Sequence, residues 1–216
     1  SLLSGLIMAH KELIEEIKKK TKELLKNKQV DIVIGYKRAC DGILAAPVFI
    51  YTEEDAEGLI WDAYCVYNLA NYLNDFSGKK IGIIAKACDI KSIIVLLQEN
   101  QLKRENIFIV GVECGVVVDE KRLYKYKSKV EEVSYHEKCR DCKPAMPVFY
   151  DMLIAQEKKE QPLRMEEDAY AAARKFDAKS LEERFKFWEG EFKRCIRCYA
   201  CRQVCPMCYC PRCVAD

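Results

Sequence analysis

The chain has 216 residues, 50% hydrophobic and 32% charged, the balance of a globular protein with one α/β domain or two small ones. Lys+Arg 36 against Asp+Glu 34 leaves a net charge of +2, which argues against a basic nucleic-acid binder and against a long acidic tail. The outlier is cysteine, 13 residues beside only 2 histidines.

An odd cysteine count, with no basic n-region in the opening SLLSGLIMAH to mark a secretory signal, speaks against a secreted disulfide framework. Zinc and iron–sulfur remain, and both suit a reducing cytoplasm. Residues 9–28 predict an amphipathic helix, with Leu13, Ile14, Ile17, Leu24 and Leu25 on one stripe among Lys and Glu. VDIVIG (30–35) predicts a strand, and ILAAPVFI (43–50) another, with Pro47 marking a sheet edge. Residues 62–75 read as helix.

The clearest unit is 80–112. The strand KIGIIAK, the helix DIKSIIVLLQENQ, the turn LKREN and the strand IFIVGV make a β–α–β unit, so two strands run parallel through a right-handed crossover. Val130–Tyr135 is a further candidate strand. From about 147 the pattern turns helical, and Ser180-Leu-Glu-Glu183 is a capping-box sequence. Phe185, Trp188 and Phe192 follow at i, i+3 and i+7. The polar QEKKEQPLR places a domain boundary near 158–166, separating an α/β domain (1–160) from a helical, cysteine-rich segment (161–216).

The tail reads Cys195-Ile-Arg-Cys198-Tyr-Ala-Cys201-Arg-Gln-Val-Cys205-Pro206, the C-x₂-C-x₂-C-x₃-C-P run of bacterial ferredoxins. Two-residue gaps let a turning backbone present three thiolates to one cubane. The longer gap and the proline send the fourth cysteine elsewhere. Zinc ribbons space their two knuckles by about 15–20 residues, whereas these pairs are nearly continuous. Seven cysteines within residues 195–213 are not a set of idle buried thiols. Cys208, Cys210 and Cys213 follow. One later cysteine completes the first tripod, and the three left over need a ligand from elsewhere, with Cys65 or Cys40 as candidates, to hold a second cluster. A zinc or three-iron site is the other option.

A second group is dispersed. Cys88 follows one strand of the β–α–β unit at the start of its helix, Cys114 follows the other, and Cys139-Arg-Asp-Cys142 is a C-x₂-C pair. Ends of parallel strands gather at one sheet edge, where α/β proteins build ligand sites. Cys88 and Cys114 are then neighbours, and the C-x₂-C pair can fold over them. Taken alone, Cys88 is as well explained as a buried small hydrophobe or a reactive thiol. Cys40 and Cys65 read as packing residues.

Lys193, Arg194, Arg197, Arg202 and Arg212 accompany the tail cysteines, offering either charge compensation for a cluster or a solvated docking face. Phe185, Phe187, Trp188 and Phe192 read first as packing of the last helix, while Tyr199 and Tyr209 offer an apolar shell. His136, three residues before Cys139, reads as a surface histidine rather than a hydrogen-bond donor to a ligating cysteine. No G-x-G-x-x-G, P-loop, Ser-His-Asp set or carboxylate pair stands out.

The stretch AKACDIKSIIVLLQENQLKRENIFIVGVECGVV, then CRDCKPAMPVFYDM, resembles the beta subunits of deazaflavin-reducing hydrogenases and formate dehydrogenases. It looks closest to their short relatives encoded with heterodisulfide-reductase-type complexes, and CIRCYACRQVCPMCYCPRC resembles the ferredoxin module such proteins carry. The resemblance implies an electron-relay subunit with a 4Fe–4S cluster in an α/β domain, with Cys88, Cys114, Cys139 and Cys142 as its ligands by position. Full-length relatives also bind a flavin and reduce a deazaflavin or nicotinamide. This chain is shorter, carries its ferredoxin-like run at the C-terminus, and presents no residue assignable to a flavin.

The expectation is an α/β fold, a small partly parallel sheet with flanking helices, plus a C-terminal ferredoxin-like module. Its metal ligands are Cys88, Cys114, Cys139, Cys142, Cys195, Cys198, Cys201, Cys205, Cys208, Cys210 and Cys213. They hold two 4Fe–4S clusters, or three. The expected role is electron transfer within a larger anaerobic, cytoplasmic oxidoreductase complex, with other redox subunits as partners and no nucleic acid. No apolar run approaches the ~20 residues that span a bilayer. The alternatives are a flavin-dependent oxidoreductase fed by the clusters, and a zinc-stabilised binding module.

Overall fold

The structure, a computed structural model, describes residues 2–119, 136–140, 142, 146–155, 170–210 and 212, without the side chains of 2–10 and of Arg140. Its centre is a five-stranded sheet in the order β2-β1-β3-β4-β5. The strands are β1 (Ile32–Arg38), β2 (Ala45–Ile50), β3 (Ile81–Ala85), β4 (Ile107–Val112) and β5 (Met152–Ile154). β1 pairs antiparallel with β2, and all other neighbours are parallel. The fold is the expected α/β arrangement.

The sequence explains the order. β3 is IGIIA and buried at every residue, the unbroken apolar run of a strand covered on both faces. β2 carries Pro47, which cannot donate to a second ladder, and it takes the sheet edge with Pro47 opposite Tyr36. α1 (Leu2–Lys26) lays Leu13, Ile17 and Leu24 into the core. Burying each of these stabilises the fold by about 1.5–3 kcal/mol. α2 (Ala87–Gln98) is the crossover between β3 and β4, burying Ile90, Ile93 and Leu96.

Three expectations need correction. Residues 62–75 are not one α-helix. A 3₁₀ segment runs over Leu69–Phe76, capped by the Asn68 side chain. Before it, the Asp62 carboxylate accepts from the Tyr64 amide at 2.8 Å, a local bond that competes with helix. The region after 147 is not helical from its start, because Met152–Ile154 pairs with β4 as β5. Three residues carry no readable period, and the neighbouring ladder decides their state. Cys40 is exposed rather than packed, whereas Cys65 is buried.

Past β5 lie α4 (Ala171–Asp177), α5 (Leu181–Lys193) and α6 (Ala200–Gln203), none with a buried residue. The capping box forms as read. The Glu183 amide donates to Ser180 Oγ at 3.2 Å, and the Ser180 amide donates to the Glu183 carboxylate at 2.8 Å. Phe176, Phe187, Trp188 and Phe192 make a chain of ring contacts with centroids 5.0–6.2 Å apart. Phe185, Phe187, Trp188 and Phe192 all stay exposed, so the expected packing of this helix is ring against ring rather than burial. The candidate strand at 130–135 and the boundary at 158–166 lie outside the described residues.

Candidate metal centre

Cys88, Cys114, Cys139 and Cys142 line one cavity of about 70 Å³, together with Lys86, Ala87, Gly115, Val117 and Lys138. The cavity lies at the C-terminal edge of the parallel strands. β3 ends at Ala85 and Cys88 sits in the first turn of α2; β4 ends at Val112 and Cys114 follows. α3 (Glu137–Arg140) brings Cys139. The pairing of β3 with β4, Ala85 opposite Gly111, aligns the two strand ends.

Val117 stitches these pieces together. Its amide donates to Cys139 Sγ at 3.4 Å, and its carbonyl accepts from the His136 amide at 2.8 Å. The adjacent Val118 amide donates to the Ala63 carbonyl at 2.9 Å. Val66, Val117 and Val118 form a small second core, against which Cys114 and Cys139 pack. The 61–66 segment is a scaffold that sequence reading missed. Trp61 Nε1 donates to the Glu113 carbonyl at 3.1 Å, and Lys138 Nζ donates to the Val66 carbonyl at 2.6 Å. No motif marks that segment, and its apolar residues look like ordinary core.

The thiols sit in a low-dielectric site. Burial pushes Cys88 up to about 11, with Asp89 adding to it and Lys86 and Lys138 opposing. Burial pushes Cys114 up to about 12, opposed by Lys86. Without a cation these thiols keep their protons, and a bound metal would supply the charge that displaces them. Among the described residues, no three His, Cys, Asp or Glu side chains are set to close on a single metal ion. The four thiols instead surround a shared space. Four thiols around one space are a donor set that a thiolate-ligated metal centre, iron–sulfur or zinc, can use.

Beside the cavity is a buried charge network. Lys86 is 1% exposed and Asp89 0%. Lys86 Nζ lies 3.1 Å from Asp89 Oδ2 and donates to the Tyr67 carbonyl at 2.9 Å and to the Tyr36 hydroxyl. It also sits 4.4 Å from the Tyr36 ring centroid and 5.8 Å from that of Trp61. Burial works against the Lys86 charge, but Asp89 and the surrounding thiols more than offset it and raise its pKa. This ammonium lay unnoticed in the sequence, inside a strand–helix junction.

The tail is arranged differently. Cys195, Cys198, Cys201, Cys208 and Cys210 are exposed, Cys205 is half-buried, and Cys213 lies outside the described residues. Each two-residue gap of the tripod contains one left-handed residue, Arg197 (φ 54°) and Tyr199 (φ 58°). Non-glycine residues in this conformation are strained, and they cluster where ligands are held. The Arg197 amide donates to Cys195 Sγ at 3.4 Å. The tail touches the sheet domain through Met207 and Tyr209, which pack on the core, and through a hydrogen bond from Tyr209 to Glu99. Of the tail cations, Lys193 pairs with Glu189 and Arg194 with Glu191, while Arg202 donates to the Cys210 carbonyl at 3.3 Å. His136 is half-buried, and its Nδ1 accepts from the Lys138 amide at 3.2 Å.

No family model matches the chain. It is similar to the beta subunit of the F420-dependent formate dehydrogenase of Methanocaldococcus jannaschii, 25% identical, the match covering 89% of this chain and 72% of that protein. It is also similar to the beta subunit of F420-dependent formate dehydrogenase 1 of Methanococcus maripaludis, 23% identical over 89% of this chain and 71% of that protein. A chain of the F420-reducing [NiFe] hydrogenase complex from Methanosarcina barkeri aligns with a TM-score of 0.46 at 17% identity, over 53% of this chain and 44% of that one. The resemblance read from the sequence therefore holds across most of the chain. Among the described residues no helix is long and apolar enough to cross a membrane.

Proposed function

We propose that the chain is an iron–sulfur electron-transfer subunit of a larger anaerobic oxidoreductase complex in the cytoplasm. One observation carries this reading. Four cysteines distant in sequence, Cys88, Cys114, Cys139 and Cys142, line one cavity at the end of the parallel strands. They would hold one 4Fe–4S cluster, and Cys195, Cys198 and Cys201 with a later tail cysteine would hold a second. Bound there, such clusters supply one-electron transfer without proton chemistry. The leftover thiols among Cys205, Cys208, Cys210 and Cys213 allow a third. On this reading residues 1–160 form the α/β unit and 161–216 carry the tail module.

The partners follow from the relatives, whose names make them subunits of F420-dependent formate dehydrogenases. A subunit that relays electrons needs a donor and an acceptor, so the partners are other redox subunits. The side chains that carry the relay reading bind and enclose rather than turn over a substrate.

The test is iron, acid-labile sulfide, zinc and flavin per chain on protein purified without oxygen. About 8–12 iron with equal sulfide supports two or three clusters. Flavin alongside would promote the flavin-dependent oxidoreductase. Zinc without sulfide would overturn the electron-transfer reading and leave a zinc-stabilised binding module.

A further inference from the structure

The cavity is lined by four thiols and two lysines, with no carboxylate among its described lining residues. An oxidised 4Fe–4S core on four thiolates carries a charge of about −2, and one more negative charge when reduced. Two lysines among the lining residues offset part of the charge of the first state. They leave the second undercompensated, yet far less so than bare apolar walls would.

The two lysines differ in kind. Lys86 is buried, held by Asp89, the Tyr67 carbonyl and the Tyr36 hydroxyl, and enclosed by the Tyr36 and Trp61 rings. Its partner Asp89 does not line the cavity. The Asp89 carboxylate is turned to the backbone, accepting from the Leu69 amide at 3.2 Å and the Lys86 amide at 2.8 Å. Lys86 is therefore the member of the pair that lines the cavity, while the Asp89 carboxylate is held on backbone amides of the 3₁₀ segment and of the α2 start. Lys138 is exposed, so solvent and salt screen its charge over about 8 Å at physiological ionic strength. A buried ion pair gains little stability over well-packed apolar side chains, so stability is a weak reason for one here.

Resting on the cluster reading above, we propose that Lys86, assisted by Lys138, sets the reduction potential of the group held by Cys88, Cys114, Cys139 and Cys142. Lys86 touches no electron carrier directly. It acts through its field, raising the potential by stabilising the reduced, more negative state. Asp89 holds the ammonium in place and tempers it.

The experiment is a redox titration of the full chain, followed by electron paramagnetic resonance, with iron and sulfide counted in each variant. A dye-coupled reductant adds one electron per cluster, with no bond made or broken. Lys86→Gln keeps a hydrogen-bond donor but removes the charge. It shifts the reduction equilibrium about tenfold toward the oxidised form, some 59 mV for one electron. Asp89→Asn shifts it the opposite way, because the ammonium loses its counter-charge. A merely structural role would move both variants in one direction. Lys138→Gln, on the exposed rim, follows Lys86→Gln with a smaller shift that fades in high salt. Should Lys86→Gln not fold, the opposed shifts of the other two variants still decide. Clusters present at full count with the midpoint unmoved in Lys138→Gln and in whichever of the other two folds overturn the proposal alone. A parent chain without iron and sulfide overturns the cluster reading beneath it.

Discussion

Gly111 lies at the end of β4, three residues before Cys114, and the segment after Cys142 packs directly upon it. A Cβ there would stand 2.8 Å from Pro147 Cβ and 3.2 Å from Tyr150 Cβ, where ordinary contact begins near 3.4 Å. Pro147 Cβ belongs to a rigid ring, so the clash is with chain rather than with a flexible side chain. That chain is pinned nearby. The Asp151 amide donates to the Ile109 carbonyl at 2.9 Å, the Asp151 carboxylate accepts from the Ile109 amide at 2.7 Å, and Arg104 binds it at 2.6 Å. Gly111→Ala should therefore cost the overpacking value, about 1–3 kcal/mol. Gly115, in the cavity wall, is the control: a Cβ there meets nothing within 4 Å. Gly115→Ala should stay within about 0.5 kcal/mol of the parent, or gain slightly through unfolded-state entropy. Urea denaturation of the reduced, metal-free chain measures both, and iron retention should fall in Gly111→Ala alone. Equal stabilities for the two variants would refute the packing argument at this edge.

Cys198→Ala should remove the tail cluster and leave the cavity cluster, and Cys139→Ser should do the reverse, because the ligands come from separate segments; loss of all iron in either variant would break the two-site scheme. Burial pushes the Cys65 thiol from its ordinary 9.0 to about 12. The folded state therefore holds that proton more tightly, and stability declines as pH rises from 9 toward 12, by about 1.4 kcal/mol per pH unit for one thiol. Cys65→Ala should flatten that part of the alkaline decline in the metal-free chain, and an unchanged slope would count against it. Removing metal with a chelator should open the tail to trypsin at Arg194, Arg197 and Arg202 while β1, β3, β4 and α2 resist, since the tail helices bury nothing of their own; equal cleavage with and without metal would refute this.

Much of the fold was legible because its strands are unbroken apolar runs and its crossover helix has a clear period. KIGIIAK, DIKSIIVLLQENQ and IFIVGV became β3, α2 and β4 within three residues at each end. β5 was not legible, because Met152–Ile154 owes its state to the ladder beside it. The two cysteine groups were read from different signals, local spacing for the tail and the strand ends of the β–α–β unit for the cavity. The tail announces itself through local spacing, which a single sequence displays in full. The cavity cysteines are up to 54 positions apart, from Cys88 to Cys142, and only the parallel β3–β4 register makes them neighbours. Lys86 and the 61–66 segment carried no signal, since a buried ammonium and an apolar scaffold leave no spacing to read.

The two groups are also held by different physics. The cavity thiols ride on strand ends, a helix start and the Val117 hydrogen bonds, so the fold positions them before any metal arrives. The tail thiols depend on strained left-handed turns and a few anchors. Those anchors fall at the far end of α2 from Cys88. Tyr209, flanked by Cys208 and Cys210, bonds Glu99 just past the helix end, and α2 with its 12 residues spans about 18 Å. The 3₁₀ segment makes a second, shorter link. Asn68 bonds Ser92, whose hydroxyl in turn donates to the Cys88 carbonyl, while Asn71 donates to the Gln203 carbonyl of the tail. Among the described residues, α2 and this segment thus carry side-chain hydrogen bonds toward both groups.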